Sequence, residues 1–265
     1  MEICSLNLDL LAEHILNLKK KKTNSNSKTV LVVGATGNTG FPLVKQLLVR
    51  GYNLRIIVRS LDKFPQELLE NPKLKIIKAS LLDLSDEQML EAVKGCAAVA
   101  SCLGHTMSFK GIFGKPRTLV LEAVKRLCVA IKATHSLDKT KFLLMNTVGN
   151  RNPGERVTMS EKVILSLLRN LVPPHYDNEA SAAFLRDNIG SENEFIEWVV
   201  VRPDGLINAE ISNYEVVATP PQTIFNGLTT TRANVAHFMC ECIEQPNLWI
   251  QWKGKMPVVF NKKIK

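Results

Sequence analysis

From Thr29 onward two hydrophobic periods alternate along the chain. Short runs of consecutive apolar, often β-branched residues are followed by longer stretches in which apolar residues fall three and four apart. That is the pattern of fully buried parallel strands joined by amphipathic helices. Strands are predicted at Thr29–Val33, Leu54–Val58, Leu74–Ile77, Ala97–Leu103, Phe142–Thr147 and Trp198–Val201. Helices are predicted from Phe41 to Arg50, closed by Gly51, and from a Ser85 cap to Lys94, with Gly95 beyond it. Further helices are expected at Thr118–Thr134, at Val157–Leu171 ahead of Pro173-Pro174, at Glu179–Asn188 and at Ala233–Ile243. Strand and helix in strict alternation predict an α/β fold: a Rossmann-type doubly wound parallel sheet with helices on both faces.

The first 27 residues break this rhythm. Leu8, Leu11, Ile15 and Leu18 suit a short amphipathic helix, and Thr23 to Lys28 reads as a polar linker. The domain division is therefore 1–27, an N-terminal helix and linker, and 28–265, a nucleotide-binding domain with small C-terminal elements on the substrate side. Asp9, Glu13 and His14 interrupt the apolar residues, which argues against a secretory or mitochondrial targeting peptide and for a helix that docks on the domain or on a protein partner. No apolar run reaches the length of a transmembrane segment.

A net charge of +9 in 265 residues admits an anionic ligand, surface or nucleic acid. Much of it sits in Lys19 to Lys22 and in Lys262, Lys263 and Lys265, with little aromatic interleaving, so solvated tails are expected and nucleic acid is not. The six cysteines form no CxxC, and Cys240-Glu241-Cys242 has the wrong spacing for zinc. Reduced thiols in a cytoplasmic protein with no metal are the expectation.

Chemistry enters directly after the first strand. Gly34-Ala35-Thr36-Gly37-Asn38-Thr39-Gly40 lies between that strand and a helix. The first Gly permits the tight turn, the second lets backbone approach a pyrophosphate, and the third lets the helix pack closely on the sheet. Thr36, Gly37, Asn38, Thr39 and Gly40 then offer amides and a positive dipole end to phosphate. The second strand ends in Val58-Arg59-Ser60, where an acidic residue would select NAD(H) and an Arg accommodates the 2′-phosphate of NADP(H). Arg59 makes NADP(H) the expected cofactor; Asp62 nearby leaves NAD(H) open.

With these residues the chain resembles the atypical short-chain dehydrogenase/reductase superfamily, in its NmrA-like and flavin reductase (biliverdin reductase B)-like branches. The resemblance rests on Gly34 to Gly40, Val58-Arg59, Leu82-Asp83-Leu84, Ser101-Cys102-Leu103-Gly104 and Val201-Arg202-Pro203. It implies that Asp83 lies by the adenine, that Leu103 and Gly104 line the nicotinamide ribose, and that Thr147 stands near the nicotinamide. It also implies that Arg202-Pro203 shapes the floor of the site. Each has a plainer alternative: a loop carboxylate, strand packing, a strand terminus, a structural arginine.

The family's usual Tyr and Lys four residues apart are absent. Ile56, Ala180 and Ala218 stand four residues after Tyr52, Tyr176 and Tyr214. In that region the chain carries Pro173-Pro174-His175-Tyr176, where His175 is either a proton donor or a helix-start residue beside capping Asp177 and Asn178, and Tyr176 is a weaker candidate. Hydride transfer to a small flavin- or quinone-like substrate asks least of a protein acid. The sequence thus leaves an NAD(P)H-dependent oxidoreductase beside two others: an NADP(H)-sensing regulator acting through a protein partner, and an assembly or chaperone-type protein-binding factor using the N-terminal helix and the leucine stripe at Ile164–Leu171. Phe109 to Lys115 is a candidate lid, and Ile164, Leu165, Leu167, Leu168 and Leu171 form an apolar stripe for core or dimer contact.

Overall fold

The computed structural model describes residues 28–62, 64–105, 108 and 112–262. The N-terminal amphipathic helix and residues 109–111 of the candidate lid lie outside them. The chain runs β1 (Thr29–Val33), α1 (Gly40–Val49), β2 (Asn53–Val58), α2 (Gln66–Leu69), β3 (Leu74–Lys78) and a 3₁₀ turn at Leu81–Asp83. It continues with α3 (Asp86–Val93), β4 (Cys96–Ser101), α4 (Leu119–Ala133), β5 (Thr140–Met145), α5 (Met159–Leu171) and α6 (Pro173–Ala183). After a π-helical turn at Phe184–Ile189 come β6 (Ile196–Pro203), β7 (Gly205–Ile207), β8 (Tyr214–Val217), β9 (Thr229–Thr231), α7 (Arg232–Glu244), α8 (Pro246–Trp252) and β10 (Val258–Asn261).

The main sheet has the order β3-β2-β1-β4-β5-β6-β10-β8. All its pairings are parallel except β8 against β10. Both faces are buried, as a doubly wound sheet requires. Along β1, Val30 and Val32 face one core with Leu43, Val44 and Leu47 of α1, while Leu31 and Val33 face the other with Val124 and Leu127 of α4. Each of these leucines and valines contributes about 2 kcal/mol by leaving water, and together they fix which face of β1 meets α1.

Of the boundaries that differ from expectation, three have a visible cause. β6 runs through Arg202, because that guanidinium is wholly buried and chelates Glu155 at 2.6 and 2.9 Å while donating to the carbonyls of Met256, Asn150 and Ala218. Arg202 is therefore structural. β5 ends at Met145, since Asn146 turns the chain: its Oδ1 accepts the Thr147 amide and its Nδ2 donates to Asn178 O. α6 begins at Pro173 rather than Glu179, because proline is well placed at a first helical position after the extended Val172. β7 to β10, with α8, complete the C-terminal part.

Candidate functional site

The two halves of the sheet diverge at β1 and β4, the switch point beside which open α/β sheets bind ligands at their carboxyl ends. The glycine string fills that place. Gly34 has φ +75°, and a Cβ there would stand 2.5 Å from Cys102 O at the end of β4. A Cβ on Gly40 would stand 2.1 Å from Gly34 O, so α1 abuts the turn itself. Gly37 is less confined, with 3.1 Å to the same oxygen.

The start of α1 is left open. Gly37 N–H donates to Gly34 O and Phe41 N–H to Gly37 O. Among the described residues nothing accepts from the amides of Thr36, Asn38, Thr39 and Gly40. Thr39 makes no side-chain cap, and no acidic residue lies in the first turn. By contrast, Ser85 and Thr158 close capping boxes on α3 and α5, Thr231 caps α7, and Asp177 caps α4 from outside by accepting from the Val120 and Leu121 amides. Uncapped amides and an uncompensated dipole end are what a pyrophosphate needs, so these residues fit a dinucleotide.

Arg59 and Ser60 are exposed just past β2. Ser60 Oγ accepts the Asp62 amide at 3.1 Å, which orders the turn and leaves the hydroxyl proton to offer. Asp83 is exposed at the end of its 3₁₀ turn, a loop held by Arg126 donating to the carbonyls of Leu81, Leu82 and Leu84. Leu103 is half-buried and Gly104 exposed, with nothing within 4 Å of a Cβ built on Gly104. These positions follow the carboxyl ends of β1 to β4 and form one edge.

Beyond β5 the same edge opens into a cavity of about 260 Å³, lined among others by Thr147, Gly149, Arg151, Leu165, Leu168, His175, Asp204 and Ile224. Thr147 and His175 come together there: a Cβ on Gly149 would lie 3.7 Å from Thr147 Oγ1 and 3.5 Å from the His175 ring. Tyr176 does not join them; it is 47% exposed on the outside of α6. Asp177 does not cap its own helix but is wholly buried, where it joins α4 to α6 and pairs with His105 Nε2 at 2.8 Å. A wider, open depression of about 570 Å³ between Lys132 and residues 189–195 lies at the amino end of β6, away from this edge.

Two carboxylates brace the cavity. Glu161, almost wholly buried, accepts from Arg151 Nη2 at 2.6 Å and from the amides of Thr158 and Ile224. Burial alone would raise its pKa, but those amides, the Thr158 hydroxyl and the Arg151 charge hold it at about 2. Glu179 lies beside His175 and is chelated by Arg169; again burial opposes, and these partners prevail, holding it at about 2. Arg151 and Glu161 were not legible as site residues, since a lone Arg in an Asn-Arg-Asn-Pro-Gly loop reads as solvated. The one available signal was the Thr158-x-x-Glu161 capping box.

Against this geometry stand the relatives. The profile of the NAD(P)H-binding family matches residues 34–246. An Arabidopsis thaliana protein, named only as uncharacterised and chloroplastic, is 38% identical over 219 residues, covering 83% of this chain and 73% of its own. A short-chain dehydrogenase/reductase from Veillonella parvula, solved in complex with NADP, superposes with a TM-score of 0.62 at 16% identity, over 88% of this chain and 94% of that one. A Streptococcus pneumoniae protein described as an NADH-flavin reductase gives 0.62 at 18% identity, over 89% and 100%. The chain belongs to the NAD(P)H-binding family. Its fold is that of the short-chain dehydrogenases/reductases, and its cofactor is a nicotinamide dinucleotide. Among the described residues no helix is long and apolar enough to cross a membrane.

Proposed function

We propose that this protein is an NADPH-dependent reductase that delivers hydride to a flavin- or quinone-like ring. The carrying observation is that the uncapped start of α1 and the cavity beyond β5 share one edge of the sheet. β1 and β5 are separated only by β4, so the two features lie about 10 Å apart across the strands, within the span of one extended dinucleotide. The amides of Thr36 to Gly40 would hold the pyrophosphate, Arg59 and Ser60 the 2′-phosphate, and Asp83 the adenine side. Leu103 and Gly104 would bed the ribose next to the nicotinamide. When bound, the reduced nicotinamide would supply the hydride, and Thr147 and His175 would face the place where it is received. Tyr176, pointing outward, is set aside as a proton donor.

The lack of a Tyr–Lys pair also favours a second reading, a sensor that binds NADP(H) without turnover and reports to a partner protein. Mixing the protein with NADPH and free riboflavin, while following the nicotinamide absorbance, separates the two. Steady loss is expected; tight binding without consumption would establish the sensor. Arg59→Glu should weaken NADPH at least about tenfold more than NADH, the worth of a lost charge-assisted contact. Equal weakening would remove Arg59 from its role. A cytoplasmic location is kept as part of the proposal, against the chloroplastic label of the Arabidopsis relative; fractionation of the source cells decides it.

A further inference from the structure

Two side chains that line the cavity beyond β5 each keep one nitrogen without a hydrogen bond. Arg151 is nine-tenths buried and anchored on both sides: its Nη2 donates to Glu161, and the carbonyl of the preceding Asn150 accepts from Arg202. Its Nε is buried with no acceptor. His175 is equally buried, and its Nε2 makes no hydrogen bond, with the Glu179 carboxylate 3.5 Å away as its charge neighbour. Leaving a buried guanidinium N–H unmet costs about 1–3 kcal/mol, so natural cores rarely do it without a ligand to meet it. Asp204, on the same cavity wall, is turned to the Gly205 and Leu228 amides and makes no bond to either nitrogen.

What enters must therefore present an acceptor oxygen, and the walls say what carries it. Leu165, Leu168 and Ile224 make one side apolar. The volume of about 260 Å³ falls just below the roughly 300–1,000 Å³ of pockets that enclose drug-sized ligands. It suits one or two fused rings, or one edge of a larger system. The Arg151–Glu161 pair is already neutral, so a conjugated carbonyl meets the site better than a full carboxylate, whose charge would face Asp204 and Glu161 without a spare cation.

We infer that Arg151 Nε, with His175 Nε2 on the same cavity's lining, docks a ring carbonyl oxygen of the hydride acceptor. The inference rests on the reductase reading and names the substrate's recognised group. On reduction the ring gains a hydride from the nicotinamide, which is oxidised, and the displaced electron pair collects on that oxygen. A proton from water completes the hydroxyl or ring N–H. A donor fixed at the oxygen before the charge arrives stabilises it most when water is excluded.

The test is binding, measured by calorimetry on the full chain with NADP⁺ present. The probes are menadione, riboflavin and naphthalene, the last a ring of similar shape without oxygen. Arg151→Lys keeps the charge facing Glu161 but lacks the second donor of the fork. It should weaken menadione and riboflavin about tenfold and naphthalene less than about twofold, the signature of one lost charge-assisted hydrogen bond. If Arg151→Lys does not melt cooperatively, the double variant Arg151→Met with Glu161→Gln removes both charges together and is held to the same ratios. Equal effects on menadione and naphthalene, or no binding of either carbonyl compound by the native chain, overturn the inference. Carbonyl-dependent binding without NADPH consumption leaves it standing and fails the reductase reading. NADPH consumption with unchanged menadione affinity in the variant does the reverse.

Discussion

At the residue scale, the glycine string separates packing from ligand contact. Gly34 and Gly40 are fixed by the fold: one needs a positive φ and both lie too close to backbone for any Cβ. Gly40→Ala should cost at least about 3 kcal/mol, the range of severe overpacking against main chain, and urea midpoints measure it. Gly104→Ala adds a methyl in open space and should leave stability within about 0.5 kcal/mol. Any loss of NADPH affinity in that variant then reports ligand contact alone. A stable Gly40→Ala protein would show that α1 does not abut its turn as described. The string was readable because each glycine answers a local backbone demand. Arg151 was not, because its meaning comes from Glu161 and Arg202, brought to it from α5 and β6.

At the element scale, the strands and helices up to β4, the unpredicted α2 apart, follow the sequence pattern to within two residues, since short apolar runs and a 3.6-residue period are written directly into them. The departures have physical causes. β10 is only four residues long, Val258–Asn261, and joins the sheet through tertiary pairing with β6. The stripe on α5 proves divided: Leu165 is buried and faces the cavity, while Leu167 and Leu171 remain exposed. α5 is also where acid should act. Glu161 has an ordinary value of 4.5 and is held near 2 when folded, so the stability it contributes is complete above 4.5 and is lost as pH falls through the folded value. Glu179 on α6 behaves the same way. Unfolding free energy should therefore fall steeply between about pH 4.5 and pH 2, and Glu161→Gln should show a lower plateau and a shallower fall in urea titrations at stepped pH. An unchanged slope would mean that Glu161 is not held as described.

At the scale of the whole molecule, a chain of charge +9 offers an exposed Arg59 to a cofactor with several phosphates. Raising salt from about 0.1 M to 1 M shortens the screening length from about 10 Å to 3 Å. NADPH affinity should fall more steeply than NADH affinity over that range, and parallel falls would argue against 2′-phosphate recognition. Saturation at about one hundred times Kd should stabilise the fold by about 2.7 kcal/mol, or roughly 5–10 °C in Tm. The two parts of the site are also built of different material. The nucleotide end is floored by main chain, with Gly34 against Cys102 and Gly40 against Gly34, whereas the far cavity is walled by side chains such as Leu165, Leu168, Gln222 and Thr223. Main chain offers little for substitution to edit. A library confined to those four positions is thus a route to retargeting what the far cavity accepts, with the grip on the dinucleotide carried forward intact.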